Sequence, residues 1–146
     1  MTYKITEDIS RLVLHDSSIL TKSKIGDNLT IEFDWTKLTD YKENGLGLII
    51  TGKSQLDLVN IISEEFFEEK VKGIVSQIDC PVDFLQRIDR IGENESTIDQ
   101  IIRIGCLYKE SDKRRWINWI IKFERFIFSW DNFVTHEDWM NGKIAE

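Results

Sequence analysis

The stretch from Trp116 to Trp130, WINWIIKFERFIFSW, constrains the fold of this chain more than any other part of it. The odd positions from 117 to 123 are all large and apolar, whereas Asn118, Lys122 and Glu124 lie between them. This period of two is typical of a strand with one face buried and one face in water.

The apolar phase reverses after Glu124-Arg125, where Phe126, Phe128 and Trp130 become the apolar positions. A one-residue change of phase within a long strand indicates a β-bulge, and a tight reversal of the chain is the alternative.

The same residues also fit a helical stripe of period 3.6, so periodicity alone does not decide between strand and helix. The stretch contains no Ala or Leu, and the whole chain has 22 Ile and a single Ala. β-Branched and aromatic residues pack well on a pleated surface and lose side-chain freedom in a helix. We therefore predict a strand and a mainly β fold, with α+β as the alternative. Residues 1–146 are expected to form one globular domain, an antiparallel sheet or β-sandwich with one or two short helices.

Two hairpins are predicted in the first half of the chain. The clearest joins 19–25 to the alternating segment 29–35 through the turn Gly26-Asp27-Asn28. The second joins 46–51 to 56–62 through Gly52-Lys53-Ser54. The polar segments 36–45 and 92–97 are predicted loops.

Two segments fit helix and strand equally well, Ser63–Ile78 and Val82–Ile91. Residues 98–109 alternate like a strand and should pair antiparallel with the Trp116–Trp130 segment. The polar tail from Asn132 is predicted either to form a short helix or to fray.

The chain has 26 acidic and 19 basic residues, a formal charge of −7. This charge opposes binding to nucleic acid and to anionic membranes, and it suits either a cationic partner or simple solubility. Charged residues interrupt the first fourteen positions, so no signal peptide is predicted and a cytoplasmic location is expected. Cys80 and Cys106 form no CxxC pair and are predicted to be reduced, buried thiols.

No phosphate-binding loop, dinucleotide fingerprint or serine-hydrolase elbow occurs in the sequence. The two histidines, His15 and His136, both precede acidic residues, and with Asp16 they could form a metal or acid–base site only if they converge. We expect no enzyme activity, cofactor or metal.

The candidate partner-binding residues are Glu64, Glu65, Glu68, Glu69, Trp116 and Trp139. The four glutamates form either a docking surface or a solvated face. Trp116 and Trp139 lie beside charged segments and are candidates for partner contact, whereas Trp35, Trp119 and Trp130 are predicted to pack in the core.

The opening block LHDSSI at 14–19, followed by GDNLTIEFD at 26–34, resembles the start of small β-rich bacterial immunity proteins of toxin–immunity systems. The resemblance implies a cytoplasmic protein that binds and neutralises one cognate toxin, and it assigns no functional residue. A small-ligand-binding or structural β domain is the alternative.

Overall fold

The computed structural model describes residues 2–41 and 46–142, and the chain is mainly β with antiparallel sheets, as predicted. The strands are β1 (Tyr3–Ile5), β2 (Leu12–Val13), β3 (Ser17–Ile25), β4 (Asn28–Phe33), β5 (Thr36–Tyr41), β6 (Leu46–Ile50), β7 (Ser54–Val71), β8 (Ile74–Ile78), β9 (Ile88–Ile98), β10 (Ile101–Glu110), β11 (Lys113–Trp130) and β12 (Val134–Thr135). The short helices are α1 (Phe84–Arg87) and α2 (His136–Met140), and a 3-10 turn spans Ile9–Arg11.

Six strands form a closed sheet, because β11 pairs with β10 on one side and with β7 on the other. The neighbours follow the order β11, β10, β9, β3, β4 and β7, and β7 then pairs with β11. β1 adds to the end of β11, and β8 adds to the end of β7. The predicted antiparallel pairing of the residue 98–109 region with the long aromatic strand is confirmed, with Ile104 opposite Trp119.

The long aromatic strand is continuous through its change of phase. Phe123 and Phe126 are both buried, and Glu124 and Arg125 between them are exposed. Opposite this point, Asn60 of β7 has a φ of 57°, in the left-handed region. The register between β7 and β11 also shifts by one residue next to it, between Lys122 and Phe123. The extra residue of this shift, Ile62, lies in β7. The aromatic segment is therefore a continuous strand as predicted, but the irregularity lies in its partner β7 rather than in a bulge of β11, and both strands bend together.

The turn of the first predicted hairpin holds this bend from outside. The amide N–H of Asn60 donates to Oδ1 of Asn28 at 2.9 Å, and that of Ile61 donates to the carbonyl oxygen of Asp27 at 2.7 Å. Nδ2 of Asn60 donates to Glu124 at 2.9 Å. The β3–β4 hairpin itself is confirmed, and Gly26 supplies its positive φ of 60°.

Aromatic side chains fill the inside of the closed sheet. Phe84 from α1 packs edge-on against Phe66 and Trp119 and stacks on Tyr108, with ring centroids 4.8 to 6.0 Å apart. Farther along β11, Phe128 packs against Trp130, which stacks with Tyr3 of β1. Trp119 and Trp130 are core residues as predicted, whereas Trp35 is only half-buried. Of the two cysteines predicted to be buried, Cys106 is buried, but Cys80 is exposed.

A second sheet, with the order β12, β6, β5 and β2, overturns two predictions. The predicted hairpin between 46–51 and 56–62 does not form, because β6 pairs with β5 and β12 while β7 belongs to the closed sheet. The predicted loop 36–45 is a strand over Thr36–Tyr41, and its remaining residues lie outside the described part. Leu38 is fully buried, and the buried hydroxyl group of Thr36 forms a hydrogen bond with that of Ser54 at 3.0 Å. These two buried positions stabilise β5 despite its polar sequence.

The predicted loop 92–97 is also wrong, because these residues lie within β9. Arg103 of β10 pairs with Glu93 and Glu95 across the sheet, and this pairing offsets the low strand propensity of the polar sequence. The segment Ser63–Ile78 forms the end of β7 and all of β8, with Gly73 in the turn between them. Val82–Ile91 contains α1 followed by the start of β9.

The tail forms α2, which Thr135 caps by accepting from the amide N–H of Asp138 at 3.1 Å. Residues 143–146 lie outside the described part. Within residues 2–41 and 46–142, no helix has the length and apolar character needed to cross a membrane.

The conformation of Asn60 can be tested by substitution. Asn60→Val places a β-branched side chain at a φ of 57° and should lower the free energy of unfolding by about 2 kcal/mol. Asn60→Gly should cost about 1 kcal/mol less than Asn60→Val, because glycine tolerates this conformation. Urea denaturation measures both, and equal losses would contradict the bent geometry.

Candidate functional site

The four predicted glutamates do not form one surface, because they lie on a strand rather than a helix. Successive side chains of β7 point to opposite faces of the sheet. Glu64 and Glu68 share the inner face with Phe66, whereas Glu65 and Glu69 are exposed on the outer face. Glu65 and Glu69 are therefore the more exposed pair.

Glu68 closes one end of the sheet by pairing with Arg115 of β11. The guanidinium donates two bonds to the carboxylate, from Nε at 2.7 Å and from Nη2 at 2.8 Å. Nη1 of Arg115 donates to Glu110 at 2.6 Å, and the guanidinium carbon Cζ lies 5.7 Å from the centre of the Tyr108 ring. The hydrogen bonds from Arg115 lower the pKa of Glu68, and burial opposes them in part.

Glu64 has a similar structural role at the mouth of the sheet. Its carboxylate accepts from the indole N–H of Trp119 at 3.1 Å and pairs with Lys24 at 2.5 Å. The Trp119 side chain is otherwise buried in the aromatic interior, so this bond satisfies its one polar atom. Glu64 therefore supports the core.

Trp116 lies flat on the outer face, over two glycines. A Cβ atom at Gly92 of β9 would come within 2.1 Å of its ring, and one at Gly105 of β10 within 2.4 Å. The two glycines leave the space that the indole occupies. The side chain remains 37% exposed.

The open ring of Trp116 forms one wall of a groove of about 530 Å³ on the outer face of the sheet. Strands β7 to β11 contribute to this groove, and its apolar side chains alternate with the inward-facing core residues. Its lining residues are Phe67, Glu69, Val75, Glu93, Arg103, Trp116, Asn118 and Ile120. We call this surface the Trp116 groove.

Carboxylates outnumber guanidinium groups among the charged side chains at the Trp116 groove. Arg103 donates to Glu93 and Glu95 at 3.1 Å each and to Oδ1 of Asn118 at 2.8 Å, so two carboxylates offset one guanidinium. Glu69 accepts from the amide N–H of Gly73 at 2.6 Å. The rim of the groove therefore carries a surplus of negative charge.

The other predicted site residues lie elsewhere. Trp139 is 40% exposed on α2, against the second sheet. His15 pairs with Asp16 at 3.1 Å and contacts the carbonyl of Gly92, whereas His136 lines a different cavity beside β5 and β6. Among the described residues, no three His, Cys, Asp or Glu side chains group to hold a metal ion.

Sequence reasoning identified Trp116 and Glu69 but missed Phe67, Ile120 and Arg103. Phe67 was missed because 63–78 also fitted a helix, and only the period of a strand places Phe67 on the outer face together with Glu69. Gly92 and Gly105 carried the missing signal, since glycines within strands mark a close approach of other groups.

Comparison of the chain with family models, with curated proteins and with solved structures returned no match. The site is therefore interpreted from its own geometry.

The pairing of Glu68 with Arg115 predicts a pH-dependent contribution to stability. Because folding lowers the pKa of Glu68, the contribution is present at pH 7 and is lost as the pH falls below the ordinary value of 4.5. Glu68→Gln should lower the free energy of unfolding by about 1–2 kcal/mol at pH 7 and by progressively less in acid. Urea denaturation across this pH range tests it. Glu110→Gln, at a side chain 47% exposed, is the control and should cost less than about 1 kcal/mol. A loss independent of pH would contradict the assignment.

The contact of Trp116 with Gly92 predicts a coupling between the two positions. Gly92→Ala should destabilise the wild type by about 1 kcal/mol, because the new methyl group displaces the indole. In a Trp116→Ala background the same change should be neutral or stabilising, since glycine is unfavourable within strands. A double-mutant cycle from urea denaturation measures the difference, and additive effects would be inconsistent with the described packing.

Proposed function

We propose that this chain is a non-catalytic, cytoplasmic immunity protein that neutralises a cognate bacterial toxin by binding it at the Trp116 groove. The observation that carries the proposal is the outward-facing cluster of Trp116, Phe67 and Ile120, held on the paired strands β7 and β11 and bordered by Glu69. A large aromatic ring at the centre of a polar rim is the usual composition of an energetic hot spot in protein–protein recognition.

The setting of Trp116 favours tight binding. Its ring is confined by the close approach of Gly92 and Gly105, so little side-chain freedom remains to be lost on association. Binding loses less entropy when the contact residue is fixed beforehand. The groove also rests on paired strands rather than on loops, which keeps its shape constant.

The charge of the groove favours a cationic partner. A basic side chain placed on the open face of Trp116 would gain a cation–π contact and would lie among Glu69, Glu93 and Glu95. The net charge of −7 would steer a cationic toxin towards the protein and raise its association rate.

Two other functions have less support. A small-ligand-binding domain needs an enclosed cavity, but aromatic side chains fill the sheet, and the cavity at its mouth beside Phe84 and Cys80 measures only about 190 Å³. An enzyme using His15, Asp16 and His136 needs these residues to converge, but the two histidines have no neighbouring residue in common among their described contacts.

The proposal is tested by titrating the purified protein with the toxin encoded beside its gene. Trp116→Ala should weaken binding at least tenfold, since removing a hot-spot side chain costs about 2 kcal/mol or more. Trp139→Ala is the matched control, because Trp139 has nearly the same exposure and lies outside the groove, and it should leave affinity unchanged. Thermal unfolding confirms that both variants are folded.

A charge reversal gives a second arm of the same test. Glu69→Lys and Glu137→Lys alter the net charge equally, but only Glu69 lines the groove. Glu69→Lys should weaken binding several-fold more than Glu137→Lys. If the wild type neither binds the toxin nor protects cells that co-express it, the immunity function is wrong. If it binds and all four variants bind equally, the function stands but the site lies elsewhere.

A further inference from the structure

Strand β8 is exposed along four consecutive residues. Ile74, Val75, Ser76 and Gln77 are all exposed, with Ile74 at 59% and Val75 at 57%. β8 stands at the end of the eight-stranded order and pairs, among the described strands, with β7 alone. One row of its main-chain N–H and C=O groups is therefore available for pairing.

The composition of β8 lacks the usual defences of an edge strand. Ile74–Ile78 contains no charged residue and no proline, whereas natural edges are commonly protected by lysine, proline or a bulge. An exposed, uncharged edge with β-branched side chains is a template for another strand. These features favour the pairing of another strand with the edge of β8.

We propose that β8 pairs with β8 of a second copy of this chain, in a two-fold symmetric antiparallel arrangement that extends the sheet across a dimer. Centring the two-fold axis on Ser76 is the one register that pairs all five residues. It places Ser76 opposite itself, Val75 opposite Gln77 and Ile74 opposite Ile78. Such an interface is self-complementary, as a two-fold contact must be.

Charge complementarity favours a second copy as the occupant. In this register Asp79 of each copy lies opposite the Lys72-Gly73 turn of the other, so opposite charges meet at both ends of an uncharged centre. Any shift of the register loses both the full pairing and this placement. The net charge of −7 on each copy opposes association at a distance, but salt near 0.15 M screens it beyond about 8 Å.

The dimer would also extend the Trp116 groove. Val75 lies at once on the edge of β8 and in the lining of the groove, and Gln77 of the second copy would stand beside it. Because the axis runs perpendicular to the sheet, the two grooves would lie side by side on one face. The inference rests on β8 and stands independently of the toxin-binding proposal.

The test is sedimentation equilibrium of the purified full chain without any other protein. A five-residue strand pair is a small interface, so we expect a weak dimer, with a dissociation constant on the order of 100 µM. Ser76→Lys and Ser76→Glu each place like charges at the axis and should raise this constant about fivefold. An equimolar mixture of the two variants should form a mixed dimer at least as tight as the wild type.

Controls separate pairing at β8 from other effects. Ser23→Lys places the same charge at an exposed strand serine away from this edge and should leave the dimer unchanged. Thermal unfolding is compared for every variant, because Glu68 of β7 lies opposite Ser76 within one chain. A wild type that is monomeric up to about 1 mM, or a dimer that the Ser76 variants leave intact, would overturn the proposal.

Discussion

The pairing of β7 with β11 is the contact on which the rest of the structure depends. These two 18-residue strands lie far apart in sequence, and their pairing converts an open row of strands into a closed sheet. Two flat strands of this length could not each serve two sets of neighbours. The bend at Asn60 and Glu124 turns both strands together, so that β7 leaves β4 beyond Leu58 and takes β8 as its neighbour instead. The same bend lets Phe123 and Phe126 face one interior.

Closing the sheet determines where a binding site can lie. The six strands enclose a narrow interior, which Phe66, Phe84, Tyr108 and Trp119 fill at one end. Indole and phenol groups there find internal partners, since Trp119 donates to Glu64, and Tyr108 donates to the carbonyl oxygen of Val82 at 2.6 Å. The interior is therefore occupied by side chains that stabilise the fold, and the Trp116 groove lies on the outer face. Gly92 and Gly105 contribute to this, because their missing side chains leave space for the Trp116 ring on the outer face, beside Phe67 and Ile120.

The sequence predicted those parts of the fold in which local pattern and long-range packing agree. The β3–β4 hairpin and the phase change of β11 were correct because alternation, turn residues and burial all indicate the same structure. The loop predicted at 92–97 was wrong, and so was that at 36–45 over Thr36–Tyr41, because contacts with neighbouring strands outweigh the polar composition of these segments. Arg103 compensates for the charge of Glu93 and Glu95, and the second sheet buries Leu38. The acidic run 64–69 illustrates the same limit, since its composition predicts one surface and the period of a strand divides it between two.

This division of the acidic run changes what the net charge means for recognition. Glu64 and Glu68 contribute to the total of −7, yet both are paired internally and contribute little field to an approaching molecule. Around the Trp116 groove the negative charge comes instead from Glu69 and from the carboxylates paired with Arg103, which are close to the aromatic surface. The negative charge and the exposed aromatic surface thus lie together at the Trp116 groove. Val75 lies both in the Trp116 groove and on the edge of β8. A molecule that fills the groove and touches a second copy would therefore also stabilise the pairing of the two chains. By linkage, the pairing would strengthen the binding of that molecule by the same factor.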